Sequence, residues 1–515
     1  MRHNAGLFLA KRAELSPDLP GLYQVETGLR LSWAAWNARA NRTAHALHGL
    51  GVRPGDRVAL LLMNGPEIFE SYAAIAKLGA IAVPLNWRLV PDELVFLLAD
   101  SGATCLIYAE DFDASAAELE GRGAAGGGVR HWVRAGDDAR LPRFAHSYAR
   151  LQAGASDAEP PIGACDDDDL LILYTSGTTG RPKGAVHTHR TAIWGGTNFG
   201  VSLDLRDRDV WLLFMPAFHV GALNPFLSCL QRGVSFAVMR AFDAERAWRV
   251  VESERVTNFI AVPAMLLQML PFVERGEVDA SSVRWILTGG SPVPVPLLEA
   301  YARFGIKIIG AYGLTEACGL GCLLRDDEAT ARIGSAGKAF YHLDVRIVDE
   351  KGRDCSPGEP GEIWLQGPSV MRGYWQLPDA SAETLRDGWL HTGDVAVRDE
   401  QGYVYIRDRL KDMIISGGEN VYPAEIESLL HGHPDVAEVA VIGQPSTRWG
   451  ESPFVVVVRK RDGLSERDVL DWCQGRLARF RQPRGVGFVA ELPRNPSGKV
   501  LKRVLRERFP GPAPE

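Results

Sequence analysis

The sequence predicts an α/β protein: a large N-terminal domain of two α/β subdomains plus a small β-barrel-like subdomain, followed by a small α+β C-terminal domain. Three observations predict it. Short apolar runs alternate with helical patterns along the first two thirds of the chain, which argues for parallel sheets covered on both faces. Residues 335–409 read as short strands broken by Gly, Pro and Asp turns, as in a small antiparallel barrel. After Arg409 the pattern changes again, into a compact α+β unit. The expected divisions are about 1–170, 171–334 and 335–409 within the large domain, and 410–515 for the small one.

"RVALLLMNG" reads as a buried strand, "PEIFESYAAIAKLG" as the helix after it, and "IAVPLN" as the next strand. "GRGAAGGG" (121–128) reads as a flexible surface turn. The uncharged stretch 210–231 is near membrane-spanning length, but Pro216, His219, Asn224 and Pro225 favour a buried strand, loop and helix. "VSFAVM" with "DAERAWRVVESER", "NFIAVP" with "AMLLQMLPFVE", and "VRWILTGG" with "PVPLLEAYARFG" are further strand–helix pairs, and "KIIGAYG" is a last strand. "DVRIVDEKGRDCSPGEPGEIWLQG" and "GWLHTGDVAVRDEQGYVYIRDR" supply the antiparallel strands. "AEIESLLHGHP", "VAEVAVIG", "PFVVVVR" and "ERDVLDWCQGRLARF" supply the small domain.

A chain of 515 residues is too long for one ordinary core. Its 46% hydrophobic and 23% charged residues suit a globular enzyme, and a net charge of -7 argues against nucleic acid as a partner. The seven cysteines lack metal-ligand spacing and read as reduced thiols in a cytoplasmic setting. The apolar patch before Lys11-Arg12 is too short for a signal-peptide core. Residues 459–508 hold 14 Lys+Arg against 6 Asp+Glu. That segment is either a solvated surface or one that meets an anionic ligand or a membrane peripherally.

"YTSGTTGRPKG" (174–184) packs glycines and hydroxyls beside a lysine. It does not fit G-x-x-x-x-G-K-[ST], because Gly177 and Gly180 are three apart and Lys183 lies three further on. The physics of an anion cradle still holds: glycines bring backbone N–H groups close, hydroxyls add donors and the lysine adds charge. This loop resembles the signature of the adenylate-forming enzymes: acyl- and aryl-CoA synthetases, adenylation domains and beetle luciferases. "TGGSPVP", "GAYGLTEACG", "GEIWLQGPSVMRGYW", "GWLHTGDVAVRDEQGYVYIRDRLKDMIISGGENVYPAEIE" and "PRNPSGKVLKRVLRE" match further motifs of that family in order. The overall likeness is greatest to bacterial fatty acyl-CoA synthetases.

The resemblance implies two half-reactions, a carboxylate attacking the α-phosphate of ATP and a thiol then displacing AMP. It implies that Thr175, Ser176, Gly177, Thr178, Thr179, Gly180 and Lys183 embrace the outgoing phosphates. Gly290, Ser291 and Pro292 would lie along adenine with Ala311, Tyr312 and Gly313; Thr315 would bond the α-phosphate, and Glu316 would hold Mg²⁺. Asp394 and Arg409 would reach the ribose or phosphate, and Lys499 would bridge carboxylate and α-phosphate during adenylation. Lys411 matches a hinge about which the small domain rotates, although many relatives carry aspartate there. Ser416, Gly417, Gly418 and Trp449 would line a tunnel for CoA, and Arg88 and the segment 476–484 would meet its phosphates.

His219 matches an aromatic gate beside the acyl site. The acyl pocket would be drawn from Phe218, His219, Val220, Ala222, Val262, Ala317, Cys318 and Gly319, with alanine at 222 where relatives often place glycine. With no lysine or arginine among them, a dicarboxylic acid is disfavoured. A medium- to long-chain fatty acid is the expected substrate, with an aryl acid as the alternative. CoA is the expected acceptor, with a carrier protein as the alternative; a homo-oligomer is compatible with the sequence.

Overall fold

The computed structural model describes residues 3–175, 181–290, 293–325, 327–329, 331–410, 412–416, 419–446, 449–474, 476–477, 479, 481–494 and 499–511. Ser176, Gly177, Thr178, Thr179, Gly180, Ser291, Pro292, Lys411, Gly417 and Gly418, all expected site residues, lie outside them.

Two large sheets form the N-terminal domain. In the first, Arg57–Leu61, Ile81–Pro84, Cys105–Ala109, His131–Ala135, Ala145–Ser147 and Asp169–Thr175 run parallel, and Lys183–Thr188 and Gly373–Tyr374 add an antiparallel edge. The central strands Arg57–Leu61, Ile81–Pro84 and Cys105–Ala109 are nearly all apolar, as strands buried on both faces must be. In the second sheet Pro20–Gln24, Ser235–Val238, Val210–Leu213, Asn258–Ile260, Trp285–Thr288 and Ile308–Gly313 are parallel neighbours. Arg30–Ser32 flanks one side, and Gly321–Leu323 and Lys338–Ala339 flank the other.

The sheets do not divide at residue 170. The strands before residue 33 join the second sheet, while the first is completed by a hairpin and by a two-residue strand from beyond residue 370. Edge strands take whichever partner the core brings to them, and sequence proximity carries no information about that. One core spans both sheets: Phe69, on the buried helix Pro66–Leu78, meets Phe226 and Phe236 at 4.9 and 5.1 Å between ring centroids.

The stretch 210–231 is indeed a strand, Val210–Leu213, then a helix, Val220–Arg232. Among the described residues no helix is long and apolar enough to cross a membrane. None of the seven cysteines, all of them described, forms a disulfide. The third sheet is antiparallel: Asp344–Val348, Gly361–Gln366 and Trp389–Arg398, the last also paired with Leu385–Arg386 and Val404–Arg409.

The small domain has Ile414–Ser416, Glu419–Val421, Val436–Ser446 and Gly450–Arg459 antiparallel, with Gly485–Phe488 parallel to the last. Its helices are Pro423–His431, Glu466–Cys473 and Lys502–Arg508. The second is shorter than expected, because Gln474 turns extended at φ -64°, ψ 134° just before a glycine. Five of the basic residues in 459–508 pair with acids outside the segment: Arg461 with Asp435, Arg481 with Glu425, Arg494 with Glu438, Lys502 with Glu427 and Arg506 with Asp412.

Candidate active site

The site lies where parallel strands of the second sheet end, the usual place for ligands in open α/β sheets. Ile308–Gly313 ends in Ala311, Tyr312 and Gly313, and Trp285–Thr288 ends just before Gly289. A Cβ on Gly289 would fall 2.5 Å from the Ala311 carbonyl oxygen, so only glycine lets these two strand ends approach so closely.

The Tyr312 phenol donates to Asp394 Oδ2 at 2.7 Å, and Arg409 Nε is 3.3 Å from Asp394 Oδ1. Asp394 and Arg409 are direct partners across antiparallel strands, so the ladder itself sets the pair. Upstream, the Gly393 amide donates to Glu362 Oε1 at 2.8 Å, and the Thr392 hydroxyl donates to the Ile363 carbonyl at 2.6 Å, which fix the turn carrying Asp394.

The glycine-rich loop joins two antiparallel strands, with Thr175 opposite Lys183 and its hydroxyl donating to the Lys183 carbonyl at 3.3 Å. Lys183 Nζ lies 5.1 Å from the ring centroid of Tyr374. The Tyr374 hydroxyl donates to Glu316 Oε1 at 2.8 Å. Glu316 stands on a 3₁₀ turn, Thr315–Ala317, which the same hairpin braces: His187 Nε2 donates to the Thr315 carbonyl at 2.8 Å. The Met371 amide donates to the Glu316 carbonyl at 2.7 Å. Burial pushes His187 down to about 4, so the ring is neutral and its carbonyl partner fixes the proton on Nε2.

In the segment expected to line the acyl pocket the rings of Phe218 and His219 are 4.4 Å apart, Trp87 meets Phe218 edge-on at 6.3 Å, and the Arg88 guanidinium stands 4.1 Å from the Trp87 ring. Burial, and secondarily the charge of Arg88, push His219 down to about 4. Cys318 and Gly319 follow the 3₁₀ turn at φ +58° and +77°. Asn224 donates to the Cys318 carbonyl and accepts from its thiol, and a Cβ on Gly319 would lie 2.9 Å from Val220 Cγ2. Ala222 is buried in the core shared by the two large sheets. Ala317 packs elsewhere, into the core with Cys322, Ile363 and Leu365. Val262 caps the helix Pro263–Glu274.

In the small domain Ser416 is buried and opposite Gly450, which sets Trp449 beside it. Lys499 is exposed, next to the bridge between Arg494 and Val500. Across the domain junction Arg407 pairs with Glu425 at 3.3 Å, and Asp408 accepts from the Ala424 amide at 2.9 Å. Tyr374, His187 and Trp87 were not singled out from sequence, whereas Asn224 ends the stretch from which the acyl pocket is expected. Tyr374 lies inside the quoted "RGYW", but nothing in that string signals a partner 58 residues away.

The profile of the AMP-binding enzyme family matches residues 9–375, and that of the family's C-terminal domain matches 425–499. The chain belongs to the AMP-binding enzyme family. This AMP-binding enzyme is 42% identical to the long-chain-fatty-acid–CoA ligase FadD13 of Mycobacterium tuberculosis, over 99% of its own chain and 100% of that protein. It is also 42% identical to a feruloyl-CoA synthase of Amycolatopsis, over 98% and 99% of the two chains. The o-succinylbenzoate-CoA synthetase of Bacillus subtilis, solved with ATP and magnesium, superposes on it with a TM-score of 0.86 at 32% identity, covering 97% of this chain and 99% of that one.

Proposed function

We propose that this AMP-binding enzyme is an ATP-dependent acid–CoA ligase whose acid is a medium- to long-chain fatty acid. One observation carries the reading: Lys183, Tyr374 and Glu316 form one polar line and Tyr312, Asp394 and Arg409 another, meeting on a single five-residue segment, 312–316, beside apolar side chains.

In the first half-reaction a carboxylate oxygen bonds to the α-phosphorus and pyrophosphate leaves. Lys183 and the N–H groups of the glycine-rich loop offset charge on the leaving group. Tyr312, Asp394 and Arg409 hold the nucleoside, with the Asp394 carboxylate accepting from the ribose hydroxyls. Lys499 reaches the carboxylate and α-phosphate together, stabilising charge that exists only as the bond forms. Among the described residues no group of three or more His, Cys, Asp or Glu could hold a metal by itself. A single carboxylate fits magnesium, which takes most of its oxygens from phosphate and water; Glu316 would be its protein ligand, and the ion would offset phosphate charge.

In the second half-reaction the CoA sulfur bonds to the carbonyl carbon and AMP leaves. The small domain turns about Lys411 to bring Ser416, Gly417, Gly418 and Trp449 to the entry for the thiol. A His219 held near 4 is a weak base at neutral pH, so its part is that of a ring between the two channels rather than a proton acceptor. An aryl acid is the second reading, favoured by the ring faces of Trp87, Phe218 and His219. Pyrophosphate release measured against acids graded in chain length and aromaticity, with and without CoA, separates the two. Saturable turnover with aryl acids alone would replace the fatty acid.

A further inference from the structure

Tyr374 is tied down from its backbone. Gly373–Tyr374 pairs with Ala185–Val186, the Trp375 amide donates to the Gly184 carbonyl at 2.7 Å, and the Tyr374 amide donates to Ser381 Oγ at 2.8 Å. The indole of Trp375 donates to the Asp100 carbonyl at 3.0 Å and anchors the next residue as well. The phenol therefore has little freedom, and it touches two groups of opposite charge: its hydroxyl holds Glu316 Oε1 and its ring face looks at Lys183 Nζ. Among the described residues the Glu316 carboxylate accepts no other side-chain hydrogen bond, which leaves Oε2 for a cation.

We infer that Tyr374 is a positioning residue that couples the two ends of the phosphate site, orienting the Glu316 carboxylate for a divalent cation through its hydroxyl and keeping the Lys183 ammonium in place through its ring. The inference rests on the proposed ATP chemistry and adds a residue to it. A carboxylate aimed by one fixed donor loses less entropy when a cation binds, and partners of metal ligands of this kind are commonly worth about 10–100-fold in metal affinity. A lysine within about 6 Å of an aromatic face gains a weaker attraction, so the ring contributes less than the hydroxyl.

Two variants separate the contributions. Tyr374→Phe removes the hydroxyl and keeps the ring; Tyr374→Leu removes both. Binding of Mn²⁺ in the presence of ATP, followed by electron paramagnetic resonance on the full-length enzyme, reads the metal site without turnover. Tyr374→Phe is expected to bind Mn²⁺ about tenfold more weakly and to need about tenfold more Mg²⁺ for half-maximal pyrophosphate release, with the KM for the acid unchanged. Tyr374→Leu adds a several-fold rise in the KM for ATP. Wild-type Mn²⁺ binding and Mg²⁺ dependence in Tyr374→Phe overturn the inference. A wild-type enzyme that binds Mn²⁺ and ATP but releases no pyrophosphate with any acid overturns the functional reading instead, and the Mn²⁺ comparison still decides the role of Tyr374.

Discussion

Tyr312 and Asp394 belong to different sheets and share a 2.7 Å hydrogen bond, with Arg409 closing the group from the strand opposite Asp394. The bond fastens the large sheet to the antiparallel one where the nucleoside is proposed to sit. Asp394→Ala should therefore weaken both ATP and AMP, by roughly 10–100-fold, since a charged acceptor is lost. Tyr312→Phe should cost less, on the order of fivefold. Titration calorimetry with AMP checks this without turnover, and equal losses for the two variants would contradict the arrangement.

Lys499→Ala should abolish pyrophosphate release, by at least about a hundredfold, while thioester formation from a supplied acyl-adenylate proceeds. The selectivity follows because the charge this lysine offsets exists only during adenylation. Equal loss of both half-reactions would remove Lys499 from the proposed role.

Burial pushes His187 and His189 down to about 4. In the unfolded chain each titrates near 6.5, so below that pH the unfolded state takes up protons that the folded state refuses. Stability is full above about pH 6.5 and declines as pH falls toward 4, by up to about 1.4 kcal/mol per pH unit for each ring. His187→Gln keeps an amide donor for the Thr315 carbonyl and removes one titration. Its unfolding midpoint, followed from about pH 7 to about pH 4.5, should fall less steeply than that of the wild type, whatever its absolute value.

Val220 is half-buried and stands against Gly319 at the turn beyond Glu316. Val220→Phe should shorten the acyl channel. The kcat/KM for a long-chain acid should drop about 10–100-fold while a short-chain acid is spared. A uniform loss across chain lengths would place Val220 outside the channel.

Much of this architecture is legible in the sequence, because buried parallel strands must be continuous apolar runs and the helices between them carry their own period. The strand–helix alternation from Arg57 to Gly313 and the switch to antiparallel strands after residue 335 both appear in the structure. The assignment of strands to sheets does not follow from the same signal, since the apolar pattern of Pro20–Gln24 is the same whichever edge it joins. At the site, Lys183, Glu316, Tyr312 and Asp394 announce themselves as polar residues in glycine-rich strings. Tyr374 and His187 do not, because their worth lies in partners 58 and 128 residues distant. The pairing of 459–508 is hidden for a related reason: the acids that meet Arg461, Arg494 and Lys502 lie in neighbouring elements.

The interleaving of the two large sheets has a consequence in time. Pro20–Gln24 pairs with Ser235–Val238, and the Pro20 carbonyl accepts from a serine 215 residues later. At ordinary rates of synthesis that strand leaves the ribosome roughly 10–40 seconds before its partner exists. Through that interval a nascent chain carries a strand matched on one edge only, by Arg30–Ser32, and the helix Trp33–Gly49 without the Phe226 and Phe236 rings that cover its Trp36. The edge that Ser235–Val238 covers in the finished fold is therefore open during synthesis.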